Sequence, residues 1–228
     1  NKMIRFIKIF IHMIINKLNL IKNEIQLKIN VSKFRPKIIA VSKTHEMNII
    51  LPLIKYGHED FGENKAQEAL LKWKQIKLDY PNVKLHMIGK IQTNKVKYVV
   101  DLFDYIHSLD NINLAEKISI EQKKKNKSLK IFIQVNIGNE IQKSGISIGK
   151  LNEFYNLCTQ DLKLNIIGLM CLPPKDDNTK EYFIQMKNLA QKINVKELSM
   201  GMSNDYLDAV KHGATYLRIG SKIFGNRN

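Results

Sequence analysis

At 228 residues the chain can bury one sizeable core, and no Pro-, Gly- or Ser-rich linker divides it, so one main unit is expected rather than a string of small domains. The formal charge of +16 would ordinarily point to nucleic acid, but lysine supplies 33 of the 37 basic residues and isoleucine is equally common at 33. That bias reads as an AT-rich genome, and with only four arginines to offer a bidentate fork to phosphates or bases, a nucleic-acid role is not expected.

Met3 to Ile15 is strongly apolar and carries Lys2 and Arg5, which mimics a signal peptide. Arg5, Lys8 and His12 interrupt the run, no small-residue cleavage site follows, and it is too short to span a bilayer. Ile4, Ile7, Ile11, Ile14, Leu18, Ile21 and Ile25 recur at helical spacing. Residues 1–30 are therefore expected to form an amphipathic helix packed on a main domain at 31–228, without membrane attachment.

From there short apolar runs alternate with longer helical patterns. Strands are predicted over 38–42, 59–61, 84–88, 104–108, 130–136, 164–170, 197–199 and 215–219. Helical patterns occupy 47–56, 66–77, 94–103, 113–123, 148–158, 180–193 and 205–211. Eight such strands predict an α/β chain folded as a (β/α)8 TIM barrel. A doubly wound open sheet should carry a glycine-rich phosphate turn after its first strand, and Lys43-Thr44-His45-Glu46 is nothing like one.

Active sites of such barrels sit on the loops that follow the strands, and the polar residues collect there. Lys43 follows the first strand. A strand-end lysine commonly points into water, but a partly desolvated one can condense with an aldehyde. Gly62-Glu63-Asn64 follows the second strand, Gly201-Met202-Ser203 the seventh and Gly220-Ser221 the eighth. The last two loops are where barrels bind phosphate. Ser203 either caps the helix that starts near Asp205 or gives its hydroxyl to a phosphate, and Gly220 lets backbone N–H groups approach an anion. Strand eight closes on strand one, so an amine and a phosphate cup are neighbours. Pyridoxal 5′-phosphate (PLP) carries both the aldehyde and the phosphate that this pairing asks for. Cys158 and Cys171 form no disulfide framework and the six histidines show no zinc spacing, so no metal and a reduced, cytoplasmic setting are expected.

The segments Ala40-Val41-Ser42-Lys43-Thr44, Phe61-Gly62-Glu63-Asn64, His86-Met87-Ile88-Gly89, Gln92-Thr93-Asn94-Lys95, Lys143-Ser144-Gly145-Ile146, Gly168-Leu169-Met170, Leu198-Ser199-Met200-Gly201-Met202-Ser203 and Arg218-Ile219-Gly220-Ser221-Lys222-Ile223-Phe224-Gly225 occur in that order. Together, over 38–227, they resemble the pyridoxal phosphate homeostasis protein family, single-domain relatives of the alanine racemase barrel. The resemblance implies that Lys43 is the Schiff-base lysine and that Asn64 lines the pocket near the ring. It implies that Ser203, Gly220 and Ser221, with the backbone of Met202, bind the phosphate, and that Arg218 faces the pyridine nitrogen. A guanidinium there disfavours protonation of that nitrogen and makes the ring a poorer electron sink. The structural alternative for Arg218 is a salt bridge at the barrel end. His86 is equally readable as a buried histidine with its hydrogen bonds satisfied, Ser144 as a ligand contact or a cap, and Met170, Met200 and Met202 as barrel packing.

The resemblance implies a non-catalytic PLP carrier acting in vitamin B6 and amino-acid balance, with PLP-dependent apoenzymes as possible acceptors. The alternative is a PLP-dependent racemase, which needs a second acid/base group on the far face of the cofactor. Racemase relatives take that group from an added β domain across a dimer. With the sequence ending three residues after Gly225, neither that domain nor its dimer contacts are expected, and a monomer is the simpler expectation. Tyr206 and Tyr216 are the candidate substitutes.

Overall fold

A computed structural model of the chain describes residues 2–29, 35–174, 176 and 178–225, with side chains from residue 11 onward. The expected boundary between residues 30 and 31 lies outside the described residues. Eight parallel strands, β1 (Lys37–Val41), β2 (Asp60–Glu63), β3 (Lys84–Met87), β4 (Tyr105–Leu109), β5 (Lys130–Val135), β6 (Ile166–Cys171), β7 (Glu197–Ser199) and β8 (Tyr216–Ile219), form a closed barrel in chain order. Parallel neighbours need a crossover, and helices supply it: α2 (Met47–Lys55), α3 (Ala66–Asp79), α4 (Val96–Leu102), α5 (Ile112–Lys125), α6 (Leu151–Asn156), α7 (Thr179–Lys192) and α8 (Tyr206–Lys211). The fold is the predicted TIM barrel. Closure is made by β1 against β8, from Lys37 opposite Tyr216 to Ala40 opposite Ile219.

Two local differences from the expected elements have physical causes. Gly62-Glu63 reads as a loop because a charged residue seldom ends a buried strand, yet both belong to β2 and Glu63 is fully buried. The pattern over 148–158 is not one helix. A 3-10 turn (Ile148–Lys150) leads into α6, which widens into a π turn (Leu157–Asp161) before β6. One further helical turn, α9 (Ser221–Phe224), follows β8 and is too short to leave a periodic signal.

The core has two parts. Ile38, Ala40, Phe61, Leu85, Ile106 and their like pack outward under the helices, while Ile39, Tyr105, Phe132, Met170 and Tyr216 form a separate cluster inside the barrel. Ile38 and Ile39 fall in different clusters because successive strand residues point to opposite faces. Before β1, α1 (Lys2–Lys28) lies against α2, α8 and α9 and buries Ile14, Leu18, Ile21 and Ile25. Its register is fixed by Asn19 donating to the Tyr56 hydroxyl (2.8 Å) and by the Glu24–Lys222 ion pair (3.1 Å). Among the described residues no helix is long and apolar enough to cross a membrane.

If α1 is an integral part of the core, Leu18→Ala should cost about 3 kcal/mol, as a fully buried leucine does, and lower the urea midpoint without changing the slope. Leu20→Ala, at a position 54% exposed on the same helix, should stay within about 0.5 kcal/mol of wild type.

Candidate functional site

A cavity of about 910 Å³ opens at the end of the barrel where the strands terminate, walled by Val41, Ile88, Leu172 and Pro173. Lys43, Asn64, Met202, Ser203, Arg218, Gly220 and Ser221, all singled out from the sequence, line this one cavity. Ser144 is not among its lining residues.

Lys43 sits half-buried at the first turn after β1, and the backbone around it is held tightly. Lys72, from α3, donates to the carbonyl oxygens of Ser42 and His45, both at 3.0 Å, and pairs with Glu63 at 2.8 Å. The same Glu63 Oε1 accepts from the Ser42 hydroxyl (2.7 Å) and the Trp73 indole (2.9 Å), while Oε2 is buried without a hydrogen-bond partner. Thr44 is in the left-handed region at φ 67, uncommon for a branched residue, and its N–H donates to Glu68 (2.9 Å). Two acids and a lysine of α3 and β2 thus fix the loop that carries Lys43. None of these supports was apparent from the sequence. A glutamate one residue before Asn64 was the available signal.

On the loop after β7, Gly201 has φ 92, and a Cβ there would come within 2.6 Å of the Ala209 Cβ. Glycine is required to turn the chain so tightly into Met202 and Ser203. Ser203 does not cap α8. Asp205 stands at that N-terminus, and the Ser203 hydroxyl instead accepts from the Lys222 N–H at 3.3 Å, beside the start of α9. The Met202 N–H donates to Asp205 Oδ1 at 2.6 Å, so a carboxylate holds the amide expected to serve a phosphate. Gly220, with φ −115, is under no backbone demand for glycine, and a Cβ would only touch Val41 at 3.4 Å. The fold does not need glycine at 220, whereas close approach of an anion to the backbone does.

Arg218 is only 4% exposed. Its Nη1 donates to Ser199 Oγ (2.6 Å) and its Nη2 to the Cys171 carbonyl (2.7 Å). Among the described residues no carboxylate forms an ion pair with it, so the barrel-end salt bridge is not what holds it. Burial lowers its pKa from the usual arginine value, offset in part by Cys171 and Asp205. Beyond Ser199, hydrogen bonds continue from Oγ to His107 Nδ1 (2.8 Å), from His107 Nε2 to His86 Nδ1 (3.0 Å) and from His86 Nε2 to Asp60 Oδ1 (2.9 Å). His86 is thus a buried histidine with both ring nitrogens satisfied. Burial, the largest influence, pushes His86 down and His107 well down from the usual histidine value, so both are neutral. Burial would raise Asp60, but the hydrogen bond from His86 and the charges of its neighbours hold it below the usual carboxylate range.

The two candidate racemase tyrosines are elsewhere. The Tyr206 hydroxyl is bonded to Glu24 and accepts from Lys222 Nζ (2.7 Å), and Tyr216 packs within the barrel against Tyr105 and Phe132. Neither lines the cavity.

The sequence profile described as "Alanine racemase, N-terminal domain" matches residues 15–228. A pyridoxal phosphate homeostasis protein of Aquifex aeolicus is 36% identical over 201 residues, covering 84% of this chain and 87% of that one. Its counterpart in Haemophilus influenzae is 34% identical over 227 residues, covering 93% and 95%. Among solved structures, PipY of Synechococcus elongatus with PLP bound superposes with a TM-score of 0.80 at 32% identity, covering 93% of this chain and all of that one.

Removing the cation from the Lys43 support should be costly. Lys72→Met leaves Glu63 buried and unpaired and is expected to destabilise the fold by about 3–5 kcal/mol. Adding Glu63→Gln should recover a substantial part, as read from urea midpoints. Acid should also weaken the fold through its neutral histidines. His58 is lowered to about 4, chiefly by burial, and His86 and His107 move the same way. Their contribution is complete above the unfolded value near 6.5 and is lost as pH falls through the folded values. The expected slope is about 1.4 kcal/mol per pH unit for each histidine still neutral in the fold, measured by urea titrations from pH 7 to 4.

Proposed function

This chain belongs to the pyridoxal phosphate homeostasis protein family, and we propose that it binds PLP on Lys43 and works as a carrier in intracellular PLP and amino-acid balance. The observation that carries this reading is the convergence of one lysine, one buried arginine and two hydroxyl-bearing loops on a single cavity. The residues present fit the cofactor. Val41, Ile88 and Leu172 offer an apolar wall for a planar ring, and Arg218 is a buried cation without a carboxylate partner among the described residues. Ser203, Ser221 and the backbone at Gly220 supply donors for a phosphate where the fold itself asks for no glycine.

When bound, PLP supplies an aldehyde for amine capture and a ring that can draw electrons. Lys43, at the turn after β1, would hold the cofactor through that aldehyde, in a linkage that water can undo, as a carrier requires. Arg218 has no acceptor atom, so its guanidinium would disfavour a proton on a ring nitrogen held against it and would restrain electron withdrawal. Asn64, just after β2, would line the ring from that side. The same reading takes the protein as a cytoplasmic monomer whose cofactor passes to PLP-dependent apoenzymes. Cys158 and Cys171, free and pushed up to about 12 by burial, fit a reducing setting.

Purified protein mixed with PLP is expected to gain a visible absorption band, and borohydride followed by peptide mass analysis should find the reduced cofactor on Lys43. A Lys43→Ala variant that keeps the band would sink the assignment. Holoprotein incubated with single-enantiomer amino acids should leave their configuration intact. Measurable inversion would favour the racemase reading, with an acid/base group other than Tyr206 or Tyr216.

A further inference from the structure

The hydrogen-bond chain that begins at Arg218 leaves the cavity and ends at the other mouth of the barrel. Arg218 lines the cavity where the strands end, whereas Asp60 opens β2 and lines a separate hollow beside Asn19, Lys22 and His58. Between them every linking side chain is buried: Ser199, His107 and His86 are all at 0% exposure. Van der Waals contact holds the two imidazoles in place, His86 stacked on Tyr105 (4.1 Å between ring centres) and His107 on Phe132 (4.3 Å).

The direction of this chain is fixed by chemistry. A guanidinium only donates, so Ser199 Oγ accepts from Arg218 and has its own proton free for His107 Nδ1. The Asp60 carboxylate only accepts, so a neutral His86 donates to it from Nε2 and accepts on Nδ1 from His107 Nε2–H, which leaves His107 Nδ1 to accept the Ser199 proton. With both imidazoles neutral, this is the one proton arrangement in which each link of the chain has one donor and one acceptor. Turning either ring to its other tautomer sets two donors or two acceptors face to face at 3.0 Å or less. All the bond dipoles therefore point the same way, from a positive terminus at the cavity to a negative one at the opposite mouth.

We propose that Asp60 is a positioning residue for Arg218, acting through His86, His107 and Ser199. The relay gives the buried guanidinium a distant counter-charge and leaves no carboxylate in the cavity wall to neutralise it directly. It also holds Nη1 in one orientation, because Ser199 Oγ can turn only where His107 accepts. The proposal rests on the reading of the cavity as a PLP site with Arg218 at the ring.

The test has one arm that needs no cofactor. In the ligand-free, full-length protein labelled with 15N, two-bond imidazole spectra near neutral pH should show His86 and His107 both as Nε2–H tautomers. A protonated ring or an Nδ1–H tautomer at either position overturns the relay. Asp60→Asn, which removes the charge and keeps an acceptor oxygen, should then shift the His86, His107 and Arg218 side-chain resonances together. With Ser199→Ala also present, Asp60→Asn should no longer reach Arg218. If Asp60→Asn moves His86 alone, Asp60 does not act on Arg218. In the second arm, Asp60→Asn should weaken PLP binding about fivefold or more and have no further effect beside Ser199→Ala. Unchanged affinity with an unmoved Arg218 resonance overturns the coupling. Failure of the wild-type protein to bind PLP overturns the reading of the cavity instead, and the tautomers and the Arg218 shift still decide the relay.

Discussion

The pairing of β8 with β1 is the constraint on which the site depends. Register sets Ile39 opposite Arg218 and Ala40 opposite Ile219. Side chains alternate between faces, so Ile39 and Arg218 both turn inward, and two residues further along Val41 and Gly220 reach the cavity together. Lys43 follows one step beyond, at the first turn. A slip of one residue would turn Arg218 outward into the helix layer and bring Ile219 to the cavity, losing the guanidinium and the glycine at once. Chain positions nearly 180 residues apart thus meet through four backbone-paired residues. The sequence between them has to build the other six strands before that meeting is stable.

Two buried charges sit close to this seam and are accommodated differently. Glu63 is neutralised at once by Lys72, with Ser42 and Trp73 completing the shell of one oxygen. That arrangement is local and rigid, and the carbonyls of Ser42 and His45 share it, so the charge pair doubles as a clamp on the loop bearing Lys43. Among the described residues Arg218 has no such direct partner. A carboxylate against it would quench the field at the cavity, whereas neutral acceptors such as Ser199 and the Cys171 carbonyl satisfy its protons and leave its charge in place. The cost of burying that charge is spread over three further groups down the barrel, His107, His86 and Asp60.

The barrel was legible because its signals are local: alternating short apolar runs and helical periods, with loop residues gathered at one end of each strand. That Lys43 and the Gly220-Ser221 turn line one cavity follows from strand ends of such a barrel facing one mouth, and Arg218 was singled out through the family resemblance. What could not be read were partnerships between distant positions. Nothing in the sequence ties His86 to His107, or Lys72 to the carbonyl of His45, since each depends on the angle at which two strands or a strand and a helix meet. The cap of α8 and the phosphate contact stay open for Ser203 in the sequence for a similar reason. Proximity along the chain favoured that helix, and only the fold shows the hydroxyl beside Lys222.

Asp205 is the most telling of the residues that the sequence did not single out. Its carboxylate already accepts the Met202 N–H, the kind of backbone donor that a phosphate would seek. A phosphate entering this wall meets an anion of the same sign beside it and a donor already in use, and both effects lower its affinity relative to an open nest of amides. For an enzyme that keeps its cofactor through many turnovers, that is a defect. For a protein whose task is to take up a reactive aldehyde and give it back, a built-in competitor for one amide limits how tightly the phosphate is held while leaving the lysine chemistry untouched. On the proposed function, Lys43 would govern retention and Asp205 release, from separate loops of one cavity.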